Sequence, residues 1–139
     1  MSTLSEGEAR ELLKSCKVGR LGCVDKGEPY IVPINYLFED DSIYSHSLPG
    51  RKIEILRAHP RACFQVDEVR DYFDWRSVIA IGNFEEIRVP DDRRLVLRKL
   101  LSHFPLLTPV EAVTARDAGA PDSIVFRIRV ERITGVAEG

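Results

Sequence analysis

The sequence lacks any run of apolar residues near the roughly 18 that cross a membrane as a helix. Its start, Met-Ser-Thr-Leu-Ser-Glu-Gly-Glu, carries no basic segment leading into an apolar stretch. No membrane association is therefore expected. Charge of one sign is equally scarce. The 20 Lys+Arg and 22 Asp+Glu leave a formal charge of −2, with no long block of either sign, which argues against nucleic acid as a partner. Cysteine is limited to Cys16, Cys23 and Cys63, an odd set without CxxC spacing. Cys23 and Cys63 lie in apolar strand patterns where a free thiol acts as a small hydrophobe, so a reducing, cytoplasmic compartment is expected. Repeats, low-complexity tracts and Pro/Gly/Ser-rich linkers are all missing, so residues 1–139 should share one core as a single domain.

What is present is a series of short periodic segments. Ser5 with Glu8 forms a capping-box pattern, and Ala9, Leu12, Leu13 and Cys16 follow at helical spacing, predicting a helix that ends near Lys17 and lids one end of a sheet. Alternation then takes over from Val18 to Asp25, and Asp25-Lys26-Gly27-Glu28 supplies a hairpin turn. The second strand, about Pro29 to Phe38, puts Tyr30, Val32, Ile34, Tyr36 and Phe38 on one face and Ile31, Pro33, Asn35 and Leu37 on the other. Pro33 lacks a donor, which fits an edge strand, a bulge or a ligand approach.

Glu39-Asp40-Asp41 turns into a third strand, Ser42–Ser47. A helix from Arg51 to His59 follows, stopped by Pro60. Strands over Arg61–Val69 and Trp75–Val89 come next, then a helix opened by Pro90-Asp91-Asp92, a possible further helix start at Thr108 with Glu111, and a sixth strand over Ser123–Val130. Short turns between consecutive strands imply antiparallel pairing. The expected fold class is mainly β with peripheral helices, an α+β chain built on a six-stranded antiparallel barrel.

Patterns for a nucleophile, a zinc site or a dinucleotide fingerprint are absent, so any chemistry must come from a bound cofactor. His59 and His103 are not spaced for a metal, and no metal site is expected. The clustered carboxylates Glu39-Asp40-Asp41 and Asp91-Asp92 fall where turns and helix starts favour them, and are read as structural. The informative segment is His46-Ser47-Leu48-Pro49-Gly50-Arg51-Lys52, which gathers a hydroxyl, a glycine, two cations and a helix start. Outward N–H groups, Ser47, the Arg51 fork and the Lys52 point charge together outline a phosphate site. A solvated basic turn is the plain alternative, although cations at a helix start oppose the helix dipole.

Taken together, Val18-Gly19-Arg20-Leu21-Gly22, Pro29-Tyr30-Ile31-Val32-Pro33-Ile34-Asn35-Tyr36, His46-Ser47 with Gly50-Arg51-Lys52, Ala58-His59-Pro60-Arg61-Ala62-Cys63-Phe64 and Trp75-Arg76-Ser77-Val78 to Gly82 resemble one family. It is the pyridoxamine 5′-phosphate oxidase-like FMN-binding split barrel, and within it the nitroimidazole reductase branch. The likeness spans about residues 10 to 90 and rests on order and spacing. It implies an FMN at a homodimer interface, with its ring along Pro33, Asn35 and Tyr36 and its phosphate at Ser47, Gly50, Arg51 and Lys52. It also puts His46 beside the flavin as the candidate catalytic residue, with Trp75 and Ser77 reaching the site from a later strand, from the other subunit in one arrangement. Trp75 read by itself is equally a core aromatic.

No C-terminal Arg-x-His segment is present, which argues against vitamin B6 oxidation, and the 102–122 segment is expected to cap the pocket and set specificity. The implied activity is FMN-dependent reduction of a small nitro, imine or quinone-like acceptor, with NAD(P)H or another donor supplying electrons. A non-catalytic FMN or haem binder, and a split barrel for the deazaflavin F420, are the alternatives.

Overall fold

The first helix, α1 (Glu6–Ser15), begins at the expected capping box: the Glu8 amide donates to Ser5 Oγ at 3.1 Å and the Ser5 amide donates to Glu8 Oε1 at 3.0 Å. Its buried stripe is Ala9, Leu12 and Leu13. In the computed structural model, which describes residues 1–104 and 123–139, a two-residue strand β1 (Ser2–Thr3) precedes it. The rest follows as β2 (Val18–Asp25), β3 (Glu28–Asn35), β4 (Leu37–Glu39), β5 (Ser42–Ser47), α2 (Arg51–Ala58), β6 (Arg61–Asp71), β7 (Asp74–Glu86), α3 (Pro90–His103) and β8 (Ile124–Glu138). The helix expected at Thr108 and the cap expected over 102–122 fall largely or wholly on residues 105–122, outside the described residues.

Two tight turns carry the twist of the hairpins. Lys26 and Gly27 between β2 and β3, and Asp40 and Asp41 between β4 and β5, all have positive φ, from 52° to 81°. Consecutive positive φ matches the right-handed twist of the strands a two-residue turn joins.

Among the described residues, eight strands replace the expected six. β1 is new, the expected Pro29–Phe38 strand divides at Tyr36, and β8 runs on to Glu138 rather than stopping near Val130. A register shift between Ile81 and Gly82 keeps β7 and β8 paired past Glu131 and Arg132. Glycine is required there, because a Cβ on Gly82 would lie 2.0 Å from the Arg129 carbonyl oxygen.

The sheet order is β3-β2-β6-β7-β8-β5-β4, with β1 paired to β8, and these strands pair antiparallel throughout. β3 and β4 lie at opposite ends of that order yet are separated in the chain by Tyr36 alone. The sheet must therefore curl until its two ends meet, which closes a barrel with a split between β3 and β5. Tyr36 is fully buried at the junction. Its hydroxyl donates to the Leu13 carbonyl at 2.5 Å, its amide donates to Lys17 O at 3.2 Å, and its ring meets Phe64 edge-on at 4.7 Å. It shares one core cluster with Leu12, Leu21, Ile34, Leu56, Val66 and Phe126.

Gly19 on β2 makes room for this core, since a Cβ there would lie 2.1 Å from Phe64 Cζ. Gly19→Ala should therefore cost about 1–3 kcal/mol in urea unfolding, the range for overpacking a filled core. Gly22→Ala, whose Cβ would sit at an ordinary 3.5 Å from Cys63 O, should change stability by no more than about 0.5 kcal/mol.

Candidate functional site

β3 pairs with β2 on one side only, so its other edge faces the split. Pro33 thus sits on an edge strand, where its missing N–H leaves no ladder bond unmade. Two contacts fix what runs along that edge. The Ser45 hydroxyl donates to the Asn35 carbonyl at 2.6 Å, laying β5 beside the end of β3. At the other end the Arg51 guanidinium stands 5.5 Å from the centre of the Tyr30 ring. Residues 46–51 therefore follow β3 from Asn35 back to Tyr30, about 17 Å at the rise of a strand. Pro33 and Asn35 stand on that edge strand, and His46, Ser47, Gly50, Arg51 and Lys52 belong to the segment that runs beside it.

The start of α2 leaves its donors open. Its first helical bond is Glu54 N to Gly50 O at 3.1 Å, and Gly50 offers no side-chain cap, unlike Ser5 at α1. The amides of Arg51, Lys52 and Ile53 therefore have no helical acceptor. Neither Arg51 nor Lys52 has a carboxylate within ion-pair distance among the described residues. Lys52 is half-buried, and loss of hydration pushes its ammonium pKa below the usual lysine value. Two cations, open amides and a nearby hydroxyl suit a phosphate group. Ser47 currently donates to the Leu48 carbonyl at 2.7 Å, so its hydroxyl would have to turn to donate to a ligand.

Tyr36 turns its side chain away from the open edge. The resemblance sets it beside a flavin ring, but its side chain points into the core and is held there by Leu13, with burial pushing the phenol pKa up. Only its backbone can reach that edge. Cys63, expected to serve as a small hydrophobe, is exposed on the outward sheet face, whereas Cys23 is buried as expected.

Trp75 and Ser77 lie elsewhere on that outward face. Reading across the sheet, Pro33 on β3 pairs with Arg20 on β2, Arg20 with Gln65 on β6, and Gln65 with Ile79 on β7. Three strand spacings make about 14 Å between Pro33 and the β7 row that carries Trp75 and Ser77. One chain therefore divides the expected residues into a β3-edge group and a β7 group. Between them lies a polar cluster that sequence reasoning missed. Gln65 Nε2 donates to Ser77 Oγ at 3.1 Å and to Asp67 Oδ2 at 2.9 Å, and Arg20 Nη1 donates to Asp67 Oδ2 at 3.2 Å and Gln65 Oε1 at 3.4 Å.

A separate cavity of about 390 Å³ lies under α3, with Leu37, Tyr44, Leu95 and Arg127 among its walls. None of the expected site residues lines it. Two of its cations are matched, Lys99 with Glu39 and Arg127 with Glu85.

A split antiparallel barrel with two cations at a helix start beside its open edge is the class of protein these features define. A sequence model of the pyridoxamine 5′-phosphate oxidase family matches residues 5–137, and the chain belongs to that family. It is 33% identical to a FAD-binding protein of Mesorhizobium loti, whose crystal structure superposes with a TM-score of 0.77 over 99% of this chain and 97% of that one. A protein assigned to 5-nitroimidazole antibiotic resistance in Bacteroides thetaiotaomicron shares the fold, at 23% identity and a TM-score of 0.74, over 96% of this chain and 84% of that one. An uncharacterized protein of Rhizobium meliloti (strain 1021) is 28% identical over 96% of this chain and 93% of its own length. No helix among the described residues is long and apolar enough to cross a membrane.

A half-buried lysine with no carboxylate in ion-pair distance among the described residues lowers the stability of the fold. Lys52→Met should therefore raise the melting temperature of the ligand-free protein. The folded-state pKa lies below the unfolded one, so the cost is complete at neutral pH and fades as pH rises through the folded-state value. The gap between variant and wild type should narrow at alkaline pH in thermal scans.

Proposed function

We propose that this chain binds FMN in the groove along β3 as a homodimer and acts as an oxidoreductase that passes electrons from NAD(P)H or another donor to a small nitro, imine or quinone-like acceptor. The observation that carries the reading is the pair Arg51 and Lys52, unmatched by any carboxylate among the described residues and set at an uncapped helix start on the open edge of the barrel. Family membership and the similarity to a FAD-binding protein support a flavin as the ligand. The groove is one phosphate site next to about 17 Å of strand edge, which suits a mononucleotide.

Bound flavin would supply the electron transfer itself, and the protein positions it and tunes its surroundings. Arg51, Lys52 and the α2 amides hold the phosphate, while Pro33 and Asn35 offer a flat strand edge to the ring. His46, half-buried on β5 beside the Asn35 end, is the candidate to contact substrate.

The homodimer reading draws on the outward sheet face. Ile31, Val24, Val18 and Ile79 are all exposed there, Ile31 at 68%, and together they form an apolar surface of the kind that pairs with another protein. A second copy on this face is a way to bring Trp75 and Ser77 of one chain to the groove of the other, closing the 14 Å gap that one chain leaves.

The Arg51→Ala/Lys52→Ala double variant should lose about 2–4 kcal/mol of FMN affinity in a fluorescence titration while keeping the wild-type circular dichroism, because charge-assisted contacts are the strong ones. Unchanged affinity would overturn the phosphate assignment. Parallel titration with FAD separates the two flavins. Reduction of the bound flavin by NAD(P)H and its reoxidation by an added nitro or quinone compound separates an enzyme from a carrier.

A further inference from the structure

The outward face of β2, β3, β6 and β7 carries exposed apolar side chains around one linked polar island, Arg20, Gln65, Asp67 and Ser77, and Asn35, Arg61 and Asn83 also stand on that face. A surface ion pair in open water contributes little and needs no further reason. This one lies among Val18, Ile31, Ile79 and Cys63, on the face the homodimer reading covers. Covering it strips water from a guanidinium that has satisfied only part of its fork. Arg20 makes both its hydrogen bonds through Nη1, and neither Nη2 nor Nε has a hydrogen-bond partner among the described residues. A buried guanidinium with unmet donors costs free energy unless the covering surface brings acceptors.

The island is also built to hold direction. Gln65 is engaged at both ends of its amide, with Oε1 accepting from Arg20 and Nε2 donating to Asp67 and Ser77. Ser77 Oγ thereby accepts a hydrogen bond, and its own hydroxyl hydrogen remains to be donated. One fork and one hydroxyl, fixed by a shared amide, present donors to whatever lies above, beside the Asp67 carboxylate whose Oδ2 already accepts from Arg20 and Gln65. The pyrimidine edge of an isoalloxazine ring presents two carbonyl oxygens that accept such donors, with a ring N3–H between them that donates.

Resting on the dimeric flavin reading above, we propose that Arg20 is a positioning residue for redox potential. With Gln65 and Asp67 it extends Ser77 into a half-site that each chain lends to the flavin held by the other, and Arg20 sets positive charge against the ring's polar edge. Two electrons taken up with one proton leave a net negative charge on the ring. A cation at that edge favours the reduced form and raises the potential. Asp67 holds the guanidinium in place and offsets part of its charge.

The test uses the full chain loaded with FMN, with dithionite as the electron source and a redox dye for equilibration. Arg20→Gln should lose at least tenfold of the preference for reduced over oxidised FMN, a drop of about 30 mV for a two-electron couple. Affinity for oxidised FMN should change by less, and Arg20→Lys should keep most of the potential, which also guards against a Gln variant that fails to fold. Mixed dimers locate the effect. An Arg51→Ala/Lys52→Ala chain paired with an Arg20→Gln chain retains one intact site only if the island serves the other chain's flavin, so its bound flavin should titrate at the wild-type potential. A shifted potential in the mixed dimer would overturn the exchange between chains. An unshifted potential in the Arg20→Gln homodimer, with flavin bound and only dimer dissociation altered, would overturn the inference and leave the flavin reading standing. A wild-type chain that takes up no flavin would instead sink the reading beneath it.

Discussion

The architecture depends on one buried side chain at the point where the sheet closes. β3 and β4 stand at opposite ends of the strand order, and Tyr36 is the single residue between them. Its hydroxyl on Leu13 O ties the junction to α1, and its ring against Phe64 ties it to β6. Phe64 in turn lies over Gly19, where no Cβ fits. The helix, the hairpin and the closing strand therefore share one packing problem. The split beside β3 is the consequence, because a strand that has just left one sheet edge to join the other leaves an open flank behind it.

That flank is where the chain carries its least comfortable charges. Arg51 and Lys52 begin a helix whose dipole disfavours cations, and Lys52 is partly stripped of water. Most other charged groups near the barrel are arranged for stability, as with Arg57 on Glu86, Arg10 on Asp41 and Arg127 on Glu85. A local cost without a local compensation is the usual physical mark of a site kept for binding.

Much of this was legible from residue spacing. Period-two alternation placed β2, β3, β5, β6 and β7, and the capping box placed α1. The same alternation already set Tyr36 on the face of Ile34 and Phe38, opposite Asn35. Resemblance nevertheless brought both toward a flavin ring, and the buried hydroxyl on Leu13 decides in favour of the alternation. The long β8 was hidden because Glu131 and Arg132 break the apolar pattern, and only a register shift at Gly82 carries pairing through them. The Arg20, Gln65, Asp67 and Ser77 island was invisible for another reason. Each residue is ordinary in its own segment, and they become neighbours only through the registers of β2 on β6 and β6 on β7.

The central claim is that two chains together make one kind of flavin site, with the groove from one and the β7 row from the other. Sedimentation velocity of the FMN-saturated protein, read simultaneously in the protein and flavin absorbance bands, tests it most directly. The account predicts that the flavin signal travels with a dimer, at one flavin per chain, and that dilution releasing monomers releases flavin in step. Flavin travelling with a monomer, or a dimer that carries none after incubation with FMN, would contradict it.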